Sequence, residues 1–237
     1  MKFTQPDEIT AIVESVGRYD QSNLPVLEKY VRDQLATGAI DTPANLAVLK
    51  LYQFNPPLTN IATVCAILAL SLGALPDPDF NLSLCLLGAE VAANKHVAEM
   101  VRMQQLLEAA RFKEFWAALE AGFKVPAYDA KVKSGGALVK ITDVFPAFTN
   151  QIRKYITATL SITYQQISLT QFNEYVHLNK KELTEWIVQS GCALNQDDST
   201  LVDFPLISEN LPKPALVKEN IKFEQLTKII GVSRISA

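Results

Sequence analysis

The feature that most constrains the fold is a long stretch without charge in the first third of the chain. No Asp, Glu, Lys or Arg occurs between Leu51 and Pro76, and the part from Ile61 to Leu75 is almost wholly apolar. This part has about 15 residues, fewer than the roughly 20 that a helix needs to cross a bilayer. A helix that is apolar on every side belongs at the centre of a protein. We therefore predict a central helix surrounded by other helices, and no membrane association.

The residues on either side of this segment have the pattern of a series of helices with short breaks. Thr42 is placed to cap one of them and Pro43 stands in its first turn, where a missing N–H costs nothing. Asp77-Pro78 repeats that start, and Asn94 can cap a later helix. Besides the central helix, we predict helices over Pro6–Val16, Ser22–Gly38, Ala44–Pro56, Phe80–Leu87, Asn94–Glu108 and Phe112–Ala121. No motif recurs at a fixed period, so the prediction of stacked helix pairs depends on the order of elements alone.

After Gln151 the pattern changes to helix, short strand, two helices and a hairpin. Thr170 can cap the second of these helices, and Asn179 and Glu182 stand in the relation of a capping box at the start of the third. Gly191 then ends it. The predicted elements are a helix over Ile152–Tyr164, a strand over Ile167–Leu169, helices over 170–176 and 180–190, and strands over Cys192–Asn195 and Thr200–Phe204. This order is that of a winged helix.

These patterns predict a mainly α chain in four parts. A helical-repeat (HEAT-like) solenoid covers 1–124, a connector 125–150, a winged-helix domain 151–206 and a C-terminal tail 207–237. The tail carries an amphipathic helix whose apolar residues are the candidate contacts with a partner: Phe223, Leu226, Ile229 and Ile230. The alternative is that this helix folds back on its own winged helix.

Composition places the chain among ordinary globular proteins. Apolar residues make up 49%, and 22 basic against 25 acidic residues give a net charge of −3. Cys65, Cys85 and Cys192 are odd in number and lie in apolar surroundings, which favours reduced, buried thiols in a cytosolic protein. The N-terminus, MKFTQPDEIT, has no apolar region of a secretory signal, so we expect a cytoplasmic protein.

The sequence contains no recognisable catalytic, cofactor or metal motif. His96 and His177 fall on separate predicted modules, and neither has a cysteine or second histidine at metal-ligand spacing. Gly135-Gly136 is not a phosphate loop, because no strand precedes it and no GK[ST] follows. The acidic pair Asp197-Asp198 lies in a turn, as solvated acidic residues usually do. We therefore predict a non-enzymatic protein without a cofactor.

A winged helix can bind duplex nucleic acid, but the charges here argue against it. The helix that would enter the major groove has two lysines and two glutamates among residues 180–185, and the wing carries Asp197 and Asp198. Residues 151–206 contain four basic and six acidic side chains. Duplex binding depends on neutralising phosphates, so protein docking is the better interpretation.

Five short blocks, in order, resemble one family. They are NLPVLEKYV (23–31), ANLAVLKLYQFNP (44–56), FWAAL (115–119), IRKYI (152–156) and ITYQQI (162–167). They are similar to the k subunits of eukaryotic translation initiation factor 3, which are PCI-type proteins with a helical-repeat domain and a winged helix. Pro25 and the length of the connector, 124–150, depart from the family pattern.

The resemblance implies a non-catalytic scaffold subunit of initiation factor 3 that supports initiation of protein synthesis on the small ribosomal subunit. It implies other subunits of the factor as partners, subunit l first and core PCI subunits next, with the ribosome reached through the complex. Direct duplex binding is not expected. Two alternatives stay open: a PCI-type subunit of a related assembly, the proteasome lid or the signalosome, and a nucleic-acid-binding winged-helix protein.

Overall fold

The computed structural model describes residues 5–126, 138–212 and 226, and it confirms the prediction of a mainly α chain. The first part is an array of eight helices joined by short turns. They are α1 (Asp7–Val13), α2 (Leu24–Thr37), α3 (Thr42–Phe54), α4 (Ile61–Gly73), α5 (Asp79–Leu86), α6 (Ala89–Ala92), α7 (Lys95–Glu108) and α8 (Phe112–Glu120).

The uncharged segment forms α4, and α4 is the centre of the array as predicted. Ten consecutive residues, Thr63 to Leu72, are buried, so the helix has no exposed face over that length. It contacts α2, α5 and α7 of the array and also α10, a helix from the second half of the chain. Among the residues that the structure describes, no helix has both the length and the hydropathy to span a membrane.

Several of the predicted helix caps are wrong by one or two residues. Asp41 caps α3, its Oδ1 accepting from the Ala44 N–H at 3.2 Å, while Thr42 is already helical and donates its hydroxyl to Asp79. Ser168 caps α11 (Leu169–Val176) in place of Thr170. In each case the capping oxygen belongs to the residue just before the helix, where the backbone is still non-helical.

Of the three other cap predictions, one is confirmed and two are wrong. Asn94 caps α7 as predicted, accepting from the His96 N–H at 3.0 Å. The Asp77-Pro78 start is wrong, because α5 begins at Asp79 and has no side-chain cap. α12 (Lys180–Gln189) begins where predicted, but the Asn179 side chain makes no capping hydrogen bond.

A buried polar cluster joins α2 to the start of α3. Gln34 Nε2 donates to Asn45 Oδ1 at 3.0 Å, and Asn45 Nδ2 donates back to Gln34 Oε1 at 3.1 Å. Gln34 Oε1 also accepts from the Asp41 N–H, and the Tyr30 hydroxyl donates to Asp41 Oδ2 at 2.9 Å. All four side chains are buried, and burial, with the bond to Asp41, raises the pKa of Tyr30. These bonds satisfy polar groups that would otherwise destabilise the core.

The predicted connector contains regular structure that packs against the array. Strands β1 (Lys124–Pro126) and β2 (Leu138–Lys140) pair antiparallel, and the short helix α9 (Ile141–Val144) follows. Phe145 and Phe148 are fully buried. The predicted pair Gly135-Gly136 lies outside the described residues. The division of the chain into domains at 124, 150 and 206 stays a prediction.

The first helix of the second half begins inside the predicted connector and lies close to the array. This helix, α10, runs from Phe148 to Thr163. Gln151 Nε2 donates to the Gly38 carbonyl at 2.8 Å. Gly38 has a positive φ of 73°, and a Cβ placed there would lie 2.8 Å from the Ala147 Cβ. A glycine at this position therefore permits both the left-handed end of α2 and the approach of α10.

The second half has the predicted order of a winged helix. α10, β3 (Gln166–Ser168), α11, α12, β4 (Ala193–Leu194) and β5 (Leu201–Asp203) follow one another. The strands form an antiparallel sheet in the order β3-β5-β4, with Val202 opposite both Ile167 and Leu194. Val202 of β5 and Phe172 of α11 are fully buried. β4 and β5 are shorter than predicted, and β3 has the predicted length but begins one residue earlier. In the wing, 195–200, the Asn195 N–H still donates to the Leu201 carbonyl, and the side chains of Asn195 and Asp198 accept hydrogen bonds from the main chain of the turn.

Candidate interaction surfaces

Trp116, in the middle of α8, lies at the joint between the helical array and the winged helix. Its Nε1 donates to the main-chain oxygen of Tyr175 at 2.7 Å. The ring stacks on His177 at 5.7 Å between centroids and 17° between planes, and the Arg153 Cζ lies 5.3 Å from its centroid. We call these four residues the Trp116 joint. It fixes the end of α11 against α8.

Arg153 is occupied within this joint. Its Nε donates to the Val176 carbonyl at 3.0 Å and its Nη2 to the His177 carbonyl at 3.1 Å, at the C-terminal end of α11. Burial lowers the pKa of Arg153, but its ordinary value is high enough that the group stays charged. A cation at the C-terminus of a helix is favourable, so this arginine has a structural role and does not present its charge to a partner.

The two histidines lie apart, and His177 has a role that the sequence did not reveal. His177 adopts a left-handed backbone (φ 51°) after α11, and its Nε2 lies 2.8 Å from Glu120 Oε1. His96, in the first turn of α7, has its pKa lowered by burial and by the neighbouring Lys95. Within the described ranges, no group of three or more metal-ligating side chains occurs.

The exposed surface of the winged helix does not favour a phosphate backbone. Lys180 and Lys181 are exposed on α12, but so are Glu182 and Glu185. In the wing, hydrogen bonds from the Thr200 hydroxyl and N–H lower the pKa of Asp198, which keeps that carboxylate charged. The helix that would enter the groove is therefore close to neutral, and the wing beside it is acidic.

The winged helix exposes features that suit contacts with another protein. β4 is an edge of the described sheet, and its Leu194 is 41% exposed. Val188 of α12 and Leu206 after β5 are 74% and 66% exposed. A groove of about 690 Å³ lies between α10 and α12, lined by residues such as Lys154, Thr157 and Trp186. Unpaired strand edges and exposed apolar side chains are common sites of protein docking.

Of the four predicted tail contacts, only Leu226 is described. Its side chain is 41% exposed. Phe223, Ile229 and Ile230 lie outside the described residues, so the partner-contact assignment stays a prediction. A second exposed apolar surface, at Val16, Tyr19 and Phe54, was missed by sequence reasoning. Val16 and Tyr19 belong to a 3₁₀ turn and Phe54 to α3, and these elements are adjacent only in the folded chain.

The sequence is similar to those of known proteins over nearly the whole chain. The model of the CSN8/PSMD8/EIF3K family matches residues 58–210. A protein of Xenopus tropicalis named eukaryotic translation initiation factor 3 subunit K is 30% identical over 224 residues, covering 94% of each chain. The Homo sapiens protein of that name is 28% identical with the same coverage. The one from Cryptococcus neoformans is 29% identical, over 97% of this chain and 92% of its own.

Proposed function

Because the chain belongs to the CSN8/PSMD8/EIF3K family, we propose that it is a non-catalytic scaffold subunit of eukaryotic translation initiation factor 3. The observation that carries this proposal is the extent of the similarity. Proteins named as subunit K align with 94–97% of the chain, so the matched span includes both the helical array and the winged helix. A subunit with this role acts by holding partners in place.

The partners that we propose are other subunits of the factor. Subunit l is the first candidate and core PCI subunits are the next, with the small ribosomal subunit reached through the complex in the cytoplasm. The edge strand β4 and the exposed Val188 and Leu206 supply docking surfaces of the kind that such contacts need. The near-neutral α12 and the acidic wing support docking by protein over docking by duplex nucleic acid.

Affinity purification tests this proposal directly. The tagged full chain is expressed in cells of its own source, and the proteins that co-purify from the cytosol are identified by mass spectrometry. We expect initiation factor 3 subunits in stoichiometric amounts, absent from a tag-only control. Recovery of proteasome-lid or signalosome subunits alone would place the chain in another assembly. Tight, salt-dependent binding of RNA or DNA by the purified chain would favour the nucleic-acid alternative.

We further propose that the predicted tail helix contributes to these contacts. The double substitution Leu226→Asp and Ile229→Asp places two charges on its apolar face, which is costly in an apolar interface. Co-purification of partners should fall while the melting temperature of the isolated chain stays the same. Lys228→Asp, on the polar face of the predicted helix, makes the same change of net charge, so it is the matched control and should leave association intact. A large fall in the melting temperature of the double variant would indicate that the helix folds back on its own chain.

A further inference from the structure

We propose that a groove on the outer side of α3 binds an acidic segment of a partner protein, with an aromatic or long aliphatic side chain next to the carboxylate. This N-terminal groove has a volume of about 380 Å³. It is lined by Arg18, Tyr19, Pro43, Leu46, Ala47, Lys50 and Leu86. It lies at the opposite end of the sequence from the tail and away from the winged helix.

The groove forms because a short 3₁₀ turn packs beside α3. This turn, Val16–Tyr19, follows α1 and contacts α3. Ser15 caps it by accepting from the Gly17 N–H at 3.1 Å, and Asn23 Nδ2 donates to the Gly17 carbonyl at 2.9 Å. The turn is therefore held in place from both sides. Arg18 and Tyr19 of the turn form one wall of the groove, and α3 forms the floor.

Two cations mark the groove for an anionic ligand. Arg18 and Lys50 both line it, and no acidic side chain does. Over the described part of the chain, neither cation forms an ion pair with a carboxylate. Lys50 Nζ donates to Gln53 Oε1 at 2.7 Å, which leaves other N–H groups of that ammonium for a ligand. The acidic residue next to the turn, Asp20, accepts from the Ser22 N–H.

Aromatic rings hold these cations at the groove. The Arg18 Cζ lies 5.8 Å from the centroid of Tyr19, and Lys50 Nζ lies 4.9 Å from that of Phe54. The two rings are 6.1 Å apart and tilted by 51°. Cation–π contacts of this kind restrict long side chains, so less entropy is lost when a ligand binds. The positive charge is thus positioned before the partner arrives.

The apolar part of the groove selects a peptide over a nucleic acid. Tyr19, which lines the groove, is 51% exposed, and Phe54, whose ring lies 6.1 Å from that of Tyr19, is 56% exposed. Pro43, Leu46 and Leu86 supply an aliphatic lining. A polynucleotide needs cations repeated along its backbone, and this groove offers two. A carboxylate with a neighbouring Phe, Trp or Leu satisfies both the charge and the apolar surface.

This inference rests on the proposed function only in that a scaffold subunit needs such surfaces. The test therefore uses the purified full chain alone. A phage-displayed library of random peptides is selected against the chain, and the recovered peptides are sequenced. We expect enrichment of Asp or Glu next to Phe, Trp or Leu. One recovered peptide is then synthesised with a fluorophore, and its affinity is measured by fluorescence anisotropy.

The charge-reversed variant Arg18→Glu/Lys50→Glu should bind this peptide at least about tenfold more weakly than the unchanged chain. The matched control is Lys180→Glu/Lys181→Glu, which makes the same change of charge on α12 and should bind normally. Raising NaCl from about 0.05 to about 0.5 M should also weaken binding to the unchanged chain, because exposed charges are screened. The salt dependence is measured on the unchanged chain, so it does not require that a variant folds.

Three results would overturn the proposal. The first is a selection without acidic enrichment. The second is equal affinity of the peptide for the charge-reversed variant, shown by circular dichroism to be folded. The third is that the groove binds something else: self-association of the chain that Arg18→Glu/Lys50→Glu abolishes, or binding of a single-stranded oligouridine that exceeds peptide binding. Failure of this test leaves membership of the initiation factor untouched, since co-purification tests that separately.

Discussion

The side-chain amides of Gln34 and Asn45 hydrogen-bond to each other in both directions, at 3.0 and 3.1 Å, inside the core between α2 and α3. Both side chains are almost fully buried. The pair gives these helices a fixed register, because an amide pair of this kind is satisfied only when the two residues lie opposite each other. A purely apolar contact would tolerate a slip along the helix.

We expect the two residues of this pair to be energetically coupled. Asn45→Leu leaves Gln34 Nε2 buried without its partner, at a cost of about 1–3 kcal/mol. Gln34→Leu has a similar cost and also removes the acceptor of the Asp41 N–H. The double variant should be less destabilised than the sum, by about 0.5–3 kcal/mol, in urea unfolding followed by circular dichroism. Asn45→Leu with Thr184→Ala, on α12, is the additive control, and additivity in the Gln34–Asn45 pair would contradict the coupling.

The Trp116 joint should contribute more to stability than the ion pair beside it. Trp116→Phe removes the donor to the Tyr175 carbonyl and should lower the free energy of unfolding by about 1–3 kcal/mol. Lys113→Gln breaks the exposed ion pair with Glu174 across the same joint and should cost less than about 1 kcal/mol. Urea unfolding monitored by far-ultraviolet circular dichroism measures both. Equal losses of unfolding free energy in the two variants would contradict this prediction, because the ion pair would then contribute as much as the Trp116 hydrogen bond.

Glycine at position 38 should be required, while glycine at position 88 should not. Gly38→Ala adds a Cβ at a φ of 73° and 2.8 Å from the Ala147 Cβ, so we expect a loss of about 1–3 kcal/mol. Gly88 has a φ of −66°, and a Cβ there would meet no atom within 4 Å. Gly88→Ala should be neutral or stabilise by up to about 1 kcal/mol. Thermal unfolding of the two variants tests this, and a neutral Gly38→Ala would show that α10 can move away from α2.

The three cysteines should differ sharply in reactivity. Cys65 lies in α4, and burial raises the pKa of its thiol to about 12; burial also raises the pKa of Cys192. Cys85 is exposed. Since the thiolate is the reactive form, a disulfide reagent at about pH 8 should modify Cys85 alone in the native chain and all three after denaturation. Cys85→Ser should abolish the native reaction, and rapid native labelling of Cys65 would reveal opening of the central helix.

His96 should make the fold less stable in mild acid. Its pKa is lowered in the folded chain by burial and by Lys95, so the unfolded chain takes up the proton first. Above about pH 6.5 His96 is neutral in both states and does not lower the free energy of unfolding. As the pH falls from there through the lowered pKa, the unfolded chain binds the proton more readily and the free energy of unfolding decreases. His96→Gln should show a smaller fall over the same window. A nuclear magnetic resonance titration that placed the His96 pKa above 6.5 would contradict the prediction.

The sequence predicted the central helix and the winged helix because each has a strong local signal. Ile61 to Leu75 has no polar side to expose, and α10 to β5 follow in an order with few alternative folds. The caps were placed less well, because Asp41 and Thr42 are both capping residues and only the backbone decides between them. The sequence alone therefore does not show which of two adjacent capping residues is the last one before the helix.

The Trp116 joint and the N-terminal groove could not be predicted from the sequence. The Trp116 joint combines side chains that are about 60 residues apart, and nothing in their local pattern pairs them. The N-terminal groove depends likewise on a 3₁₀ turn lying beside α3, which brings Arg18 to Lys50. An amphipathic face, such as that of 223–230, can be read from its period; a groove assembled from two elements cannot.

The contact between α4 and α10 has a consequence for how the chain is synthesised. A ribosome adds about 5–20 residues per second, and about 75 residues separate the end of α4 from the start of α10, so several seconds pass between the two. During that interval the most apolar helix of the nascent chain lacks its last covering helix. Chaperones that bind emerging polypeptides would therefore find their target here, and a premature stop before residue 148 would leave it exposed for good.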